Sequence, residues 1–190
     1  MSFLKDLPSI YDQNQGLREE NQSLKLVLKN YTDDQKILGA VTTFPKSLPL
    51  RLVGEGSELL FTSKITTDIK IGQPVVVGKQ LMGIVKEVSS RLIKVTPVTN
   101  PNLKLMVQFE SGLKGNYLVD KDVPIATSLP NDSIYSPNTL VLTLPTDLIP
   151  ENLIIGEIDQ VISSSADPFQ KVKIKISKPT DPNYFLILEP

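Results

Sequence analysis

The stretch GQPVVVGKQLMGIVKEVSSRLIKVTPV, residues 72–98, decides the fold class, because it holds three apolar runs of strand length. These runs cover residues 74–77, 79–88 and 91–98. They are rich in valine and isoleucine, which favour strands, and a Gly-Gln-Pro breaker precedes the first of them. Gly83 lies inside the second run, where a missing side chain predicts a bulge or a barrel corner. We therefore interpret the stretch as β-structure.

The chain on either side of this stretch continues the pattern from about residue 40 onward. Further strand-like runs cover residues 50–54, 58–62, 103–110, 115–119, 139–144, 153–162, 170–177 and 184–188. Within 170–177, Val172, Ile174 and Ile176 alternate with lysines, as in a strand with one buried and one solvated face. Gly156 interrupts another run as Gly83 does. Short strands separated by turn residues indicate barrels or a sandwich, and no helix of normal length is predicted after residue 40.

Residues 3–38 show a different period. Positions seven apart hold Phe3, Ile10, Leu17, Leu24, Tyr31 and Leu38. A second register, offset by four, holds Leu7, Asn14, Asn21, Leu28 and Gln35. A helix with this pattern buries a narrow stripe against a partner helix, so we predict a coiled-coil helix over residues 1–38.

The two asparagines in the seam predict how the helices pair. In a parallel dimer Asn14 and Asn21 each face their own twin and bond it, whereas other arrangements leave buried amides unpaired at roughly 1–3 kcal/mol each. We therefore predict a parallel homodimer, with the helix packed on its own β-body as the alternative. The dimerisation residues would be Ile10, Asn14, Leu17, Asn21, Leu24, Leu28, Tyr31 and Leu38.

Composition excludes several classes of function. The chain has no cysteine and no histidine, so disulfides, thiolate nucleophiles and Cys/His metal sites cannot form. A net charge of −1 without a basic stripe argues against a nucleic-acid partner. No apolar run is long enough to span a bilayer and no signal peptide is evident, so we expect any membrane anchor to lie outside this sequence.

The sequence offers no convincing catalytic or cofactor site. Ser89, Ser90 and Lys94 could form a Ser–Lys pair only formally, and a surface turn and strand explain them better. The carboxylates Glu110, Asp120 and Asp122 lack the spacing of a calcium loop. We therefore expect a protein that is not an enzyme, with no catalytic residue, no metal and no cofactor.

Four segments together resemble one bacterial family. They are residues 72–98 placed after a heptad helix containing the Glu-Asn-Gln-Ser-Leu-Lys stretch 20–25, residues 103–118 (LKLMVQFESGLKGNYL), residues 148–162 (LIPENLIIGEIDQVI) and residues 169–177 (FQKVKIKIS). In order and spacing they resemble MreC, the rod shape-determining family. Two departures stand out: Leu142-Thr143-Leu144 replaces the family's Thr-Ser-Gly, and the family's transmembrane helix is absent.

The resemblance implies a mainly-β fold with an N-terminal coiled-coil helix followed by two small β-barrels, one of them resembling a chymotrypsin-like barrel. The domain division expected from it is 1–38 for the helix, 39–98 plus 163–190 for the first barrel and 99–162 for the second.

The resemblance also implies a non-catalytic scaffold of the cell-wall elongation machinery that controls rod shape by binding wall-synthesis enzymes. Implied partners are a class B penicillin-binding transpeptidase, the elongation glycosyltransferase, MreB and MreD. A second copy of the chain is the partner expected from the heptad seam, with filaments left open. The implied location is the outer face of the bacterial cytoplasmic membrane. For partner binding we single out Leu81 and Met82, because adjacent strand residues cannot both face one core; burial of both between the barrels is the alternative.

A different class of protein also joins coiled coils to small β-domains. Periplasmic adaptor subunits of the membrane-fusion type, which serve transport or secretion complexes, usually insert a helical hairpin within a β-domain. Here a single helix precedes all predicted strands, which favours the scaffold.

Overall fold

A computed structural model describes residues 17–18, 21–22, 24–25, 47–63, 68–131, 134–162, 169–177 and 185–188. The chain divides into two compact units, Met1–Thr42 and Thr43–Pro190. The described residues form twelve strands. They are β1 (Ser47–Glu55), β2 (Leu59–Thr62), β3 (Pro74–Val77), β4 (Gln80–Val88), β5 (Ile93–Pro97), β6 (Leu105–Phe109), β7 (Lys114–Asp120), β8 (Val123–Leu129), β9 (Leu140–Thr143), β10 (Ile154–Val161), β11 (Gln170–Lys175) and β12 (Phe185–Leu188).

Alternation of apolar and polar residues marks β11, as predicted. In β11, Val172 and Ile174 are buried while Lys171 and Lys175 are exposed. The turn between β7 and β8 consists of Lys121 and Asp122, which both have positive φ (49° and 65°). Two consecutive residues with positive φ make a turn whose twist matches that of the flanking strands, so this hairpin is tight.

The strands close into two six-stranded barrels. The first barrel has the order β4-β3-β12-β1-β2-β5 and is closed by pairing of β4 with β5. The second has the order β10-β9-β6-β7-β8-β11 and is closed by pairing of β10 with β11. Within each barrel all described neighbours are antiparallel. A short parallel pairing of Gln80 with Ile154 joins β4 to β10 and so connects the barrels.

The mainly-β prediction is confirmed, but one expected domain boundary needs correction. Residues 170–175 were assigned with the first barrel, whereas β11 pairs with β8 and β10 and completes the second. The alternating pattern of β11 suits the wall of either barrel, so only the pairing decides. Of the segment 163–190, the strand that enters the first barrel is β12, which lies between β1 and β3. The likeness to a chymotrypsin-type barrel stays a prediction.

Each barrel has its own apolar interior. The first core includes Phe61 and Phe185, whose rings meet edge to face at 4.8 Å between centroids. In the second barrel Phe109 meets Tyr135 in the same way at 5.7 Å. Such ring pairs add to the stabilisation from burial alone.

Thr143 at the end of β9 holds the connection to β10. Thr143 is buried, and its hydroxyl donates to the Pro150 carbonyl (2.8 Å) and accepts from the Leu153 amide (3.1 Å). One threonine thereby ties both ends of the β9–β10 connection.

In the N-terminal unit, residues 17–18, 21–22 and 24–25 have helical backbone conformation. The side-chain amide of Asn21 donates to the Leu17 carbonyl at 2.8 Å. No described helix is long and apolar enough to cross a membrane. The coiled coil and its dimer seam stay predictions, since most of the seam falls outside the described residues. Those undescribed positions are Ile10, Asn14, Leu28, Tyr31 and Leu38.

Candidate functional site

Leu81 and Met82 do not form an open docking surface. Leu81 has 0% of its surface exposed, and Met82 is half-buried against the core of the first barrel. Leu81 and its register partner Val76 are both fully buried, yet neither belongs to that core. The residue before Leu81, Gln80, pairs with the second barrel. Leu81 is therefore buried beside the junction of the barrels, which corrects the expectation that it contacts a partner.

Polar bonds reinforce this junction. The Ile154 amide of the second barrel donates to the Lys79 carbonyl of the first at 2.8 Å. The hydroxyl of the buried Tyr117 donates to the Val98 carbonyl at 2.6 Å, and burial raises the pKa of that phenol above its ordinary value. A buried hydroxyl needs such a partner, because an unpaired one costs free energy. The barrels are thus joined by a backbone bond at Lys79 and by the buried bond of Tyr117.

The formal Ser–Lys pair does not have the chemistry of a catalytic dyad. The Ser89 hydroxyl donates to the Leu92 carbonyl (2.9 Å) and accepts from the Leu92 amide (3.2 Å), which is the bonding of a turn. The Lys94 ammonium donates to the Glu87 carboxylate at 2.7 Å, and this bond raises the pKa of Lys94. A lysine that acts as a general base needs a lowered pKa, so the environment works in the wrong direction.

Two of the acidic residues considered as a calcium site lie at a tight turn. Asp120 and Asp122 flank and form the β7–β8 turn. Among the described residues, no three carboxylates come close enough to hold a metal ion. Turn aspartates are ordinary, because their side chains bond nearby backbone.

Exposed apolar residues occur in the β10–β11 hairpin of the second barrel and in the β8–β9 connection that is bonded to it. We call these residues the hairpin patch, and its members are Ile134, Val161, Ile162 and Phe169. Ile134 is 90% and Phe169 is 56% exposed.

The hairpin patch brings two connections of the second barrel together. The Ile162 amide donates to the Lys171 carbonyl at 2.9 Å, which continues the β10–β11 ladder. The Gln170 side chain donates to the Asn131 carbonyl at 2.9 Å and holds the β8–β9 connection, which contains Ile134, against the start of β11. Clustered exposed apolar side chains mark interaction surfaces more often than scattered ones do.

A shallow groove on the first barrel is a second candidate surface. It encloses about 360 Å³ and is lined by Ile71, Ile84 and Leu103, among others. The Glu58–Lys86 ion pair stands at its edge, and this pair lowers the pKa of Glu58. Ile71 is 65% exposed. The residues that line the groove are apolar or neutral and polar, apart from one acidic and one basic residue, so the groove has no excess of either charge.

Sequence reasoning missed the hairpin patch, although a signal was present. Ile162 and Phe169 stand on either side of the Ser163–Ser165 run, and Ile134 lies in a loop with serines and proline around it. Apolar residues beside turn sequences are candidates for surface positions, although Leu129, which precedes Pro130, is fully buried.

The barrels resemble solved structures of shape-determining proteins. "MreC" of Listeria monocytogenes has a TM-score of 0.67 at 18% identity, with 98% of this chain and 91% of that chain covered. A structure titled as the major periplasmic domain from the cell shape-determining filament MreC gives 0.60 at 19%, with 76% and 95% covered. A complex between Penicillin-Binding Protein (PBP2) and MreC from Helicobacter pylori gives 0.59 at 13%, with 74% and 95% covered. At these identities the likeness concerns the fold.

The family comparison rests on sequence and covers most of the chain. The family described as "Rod shape-determining protein MreC, barrel core" matches residues 65–188. No curated protein matches the sequence. The matched range runs from the loop before β3 to the end of β12 and so takes in strands of both barrels. The chain therefore belongs to the MreC family of rod shape-determining proteins.

Proposed function

We propose that the chain is a non-catalytic scaffold that helps to control rod cell shape by binding wall-synthesis enzymes. Family membership supports the shape-determining role. The environments of Ser89 and Lys94 support a non-enzymatic one, because neither group is activated. A structural neighbour is titled as a periplasmic domain, which supports a location outside the cytoplasmic membrane for this chain as well.

The partner we propose is a class B penicillin-binding transpeptidase. A complex of PBP2 with MreC among the neighbours supports this choice. MreB, MreD and the elongation glycosyltransferase are further proposed partners that rest on the family resemblance. A parallel dimer of the N-terminal helix, if it forms as proposed, would present two barrel units together and make weak contacts avid.

We place the transpeptidase contact at the hairpin patch. A comparison of the corresponding hairpins of the two barrels supports this placement. The β4–β5 hairpin of the first barrel occupies the same place in strand order as the β10–β11 hairpin of the second. Its tip consists of the exposed polar residues Ser89, Ser90 and Arg91 and the half-buried Leu92. The barrel topology therefore does not require exposed apolar residues at this hairpin, so the exposed apolar surface of the second barrel is available for binding.

The periplasmic adaptor alternative receives no support from the described strands. Between β1 and β12, the described residues contain no helix, whereas a membrane-fusion-type adaptor would carry a helical hairpin inserted there. The single-helix arrangement remains the one expected of a scaffold.

Binding of the cognate transpeptidase ectodomain to the full chain tests the proposal. Replacing Phe169 with Asp puts a charge into the hairpin patch. Loss of an aromatic side chain that the partner would bury should raise the dissociation constant by roughly tenfold or more. The matched control is Met106→Asp. Met106 is 61% exposed on β6, which is three strands away from β11 on the opposite side of the same barrel. Biolayer interferometry would compare the three proteins.

The outcomes separate the parts of the proposal. Weakening by Phe169→Asp alone supports the hairpin patch. Equal, undiminished binding by both variants would show that the contact lies elsewhere, and Ile71→Asp in the groove is then the next variant. Absence of binding by the unmodified chain would overturn the proposed transpeptidase partnership itself.

A further inference from the structure

The two barrels are the same six-stranded unit, with the chain entering it at different points. Starting from the strands that join at the junction, the order β4-β3-β12-β1-β2-β5 matches β10-β9-β6-β7-β8-β11 strand for strand, and the neighbours are antiparallel in both. Five strands correspond in chain order. The sixth does not: the position that β6 fills in the second barrel is filled by β12 in the first. The first barrel is thus a circular permutation of the second.

This permutation gives β12 a special status. Strand β6 continues into β7 through a hairpin, whereas no hairpin joins β12 to either of its neighbours, β1 and β3. It enters the first barrel only after the chain has completed the second. All four residues of β12 are buried, and Ile187 and Phe185 belong to the core of the first barrel. Without β12, the first barrel would have a gap flanked by two unpaired strand edges.

We propose that β12 is an exchangeable strand, so that two copies of the chain can complete each other's first barrel. The slot between β1 and β3 selects its occupant by register: Ser47 pairs with Leu188 on one side, and Val76 pairs with Leu186 on the other. A β12 from a second copy makes the same hydrogen bonds and fills the same core, because only the covalent connection differs. The bound partner is therefore a second copy of this chain. This proposal does not depend on transpeptidase binding.

The absence of cysteine from the chain allows a direct test in the full-length protein. One variant carries Ser47→Cys and a second carries Leu188→Cys. In an unexchanged chain a thiol at residue 188 is buried against that chain's own Ser47. The two variants are unfolded together, refolded by dilution at several protein concentrations and oxidised. A covalent heterodimer forms where β12 of one copy lies beside β1 of the other.

We expect the covalent heterodimer in the mixture and not in samples of either variant alone. Its yield should increase with protein concentration during refolding, because exchange is bimolecular and closure within one chain is not. A chain carrying both cysteines is the control for folding and geometry, since it forms the bond within itself. A second pair, Pro49→Cys with Leu186→Cys, tests the neighbouring register position. If the double-cysteine chain closes its own bond while neither mixture gives a heterodimer at any concentration, the proposal is overturned.

Discussion

Gly83 of β4 is the position where the addition of a single methyl group should do most harm. A Cβ built there would lie 2.3 Å from the Thr96 carbonyl oxygen and 2.7 Å from a methyl carbon of Val95. The oxygen belongs to the backbone of β5, which pairs with β4 and closes the barrel. It would have to retreat by about 0.7 Å for the contact to reach 3.0 Å, so the strands must separate locally.

The cost of Gly83→Ala follows from this separation. Stretching one or two ladder hydrogen bonds costs roughly 0.5–1.5 kcal/mol each, and overpacking in a close-packed interior typically costs about 1–3 kcal/mol. We therefore expect a loss of about 2–4 kcal/mol in the free energy of unfolding. With a urea m-value of roughly 2 kcal/mol/M, the unfolding midpoint should fall by about 1–2 M.

Urea unfolding monitored by circular dichroism measures this shift, and Gly56→Ala is the matched control. A Cβ at Gly56 meets nothing nearer than the Glu58 carbonyl oxygen at 4.0 Å, so that variant should stay within about 0.5 kcal/mol of the unmodified chain. Gly156→Ala should behave like Gly83→Ala, because its Cβ would lie 2.5 Å from the Lys175 carbonyl oxygen. If Gly83→Ala unfolded at the same urea concentration as Gly56→Ala, steric contact across β4 and β5 would not explain this glycine.

Two further predictions concern the helix and the barrel junction. Replacing both Leu24 and Leu28 with Asp should convert the predicted dimer to a monomer in sedimentation equilibrium while the β-type circular dichroism is retained; a variant that stays dimeric would move the interface to the barrels. Tyr117→Phe removes the bond to Val98 and should cost about 1–3 kcal/mol at neutral pH, measured by urea unfolding. Above about pH 10 the unfolded phenol ionises while the folded one, whose pKa is raised by burial, stays protonated, so the unmodified chain loses stability and the difference between the two proteins should shrink. A difference independent of pH would contradict this.

The strands could be predicted from sequence because their signal is local. In β11, alternation of Val172 and Ile174 with lysines identifies the strand and its buried face without reference to any other part of the chain. The barrel to which a strand belongs is a non-local property. The β11 pattern satisfies either barrel wall, so its assignment to the first barrel was wrong. Only its register with Ala126 and Ile158 places it in the second.

The candidate site was harder to predict for the same reason. Leu81 and Met82 were singled out because adjacent strand residues face opposite ways, which is correct. That rule does not tell whether the outward side meets solvent or a second barrel, and Leu81 is buried beside the barrel junction. In the sequence Phe169 looks like the first residue of a strand. In the structure it precedes β11 and is 56% exposed, which the local sequence pattern does not indicate.

The matching strand order of the two barrels separates what the fold requires from what it leaves free. Strands β4 and β10 correspond, and each has a glycine in its first half that faces a backbone oxygen of the next strand, Gly83 facing Thr96 and Gly156 facing Lys175. Because both barrels have a glycine at this position, we infer that the barrel geometry requires one. A Cβ there would force the closing strands apart in either barrel. The corresponding hairpins, in contrast, differ: one tip is polar, and the other bears Phe169. Since the same topology tolerates both, the apolar hairpin adds nothing that the barrel needs. A substitution there that abolishes partner binding should therefore leave the unfolding midpoint nearly unchanged, whereas substitution of either glycine should lower the midpoint.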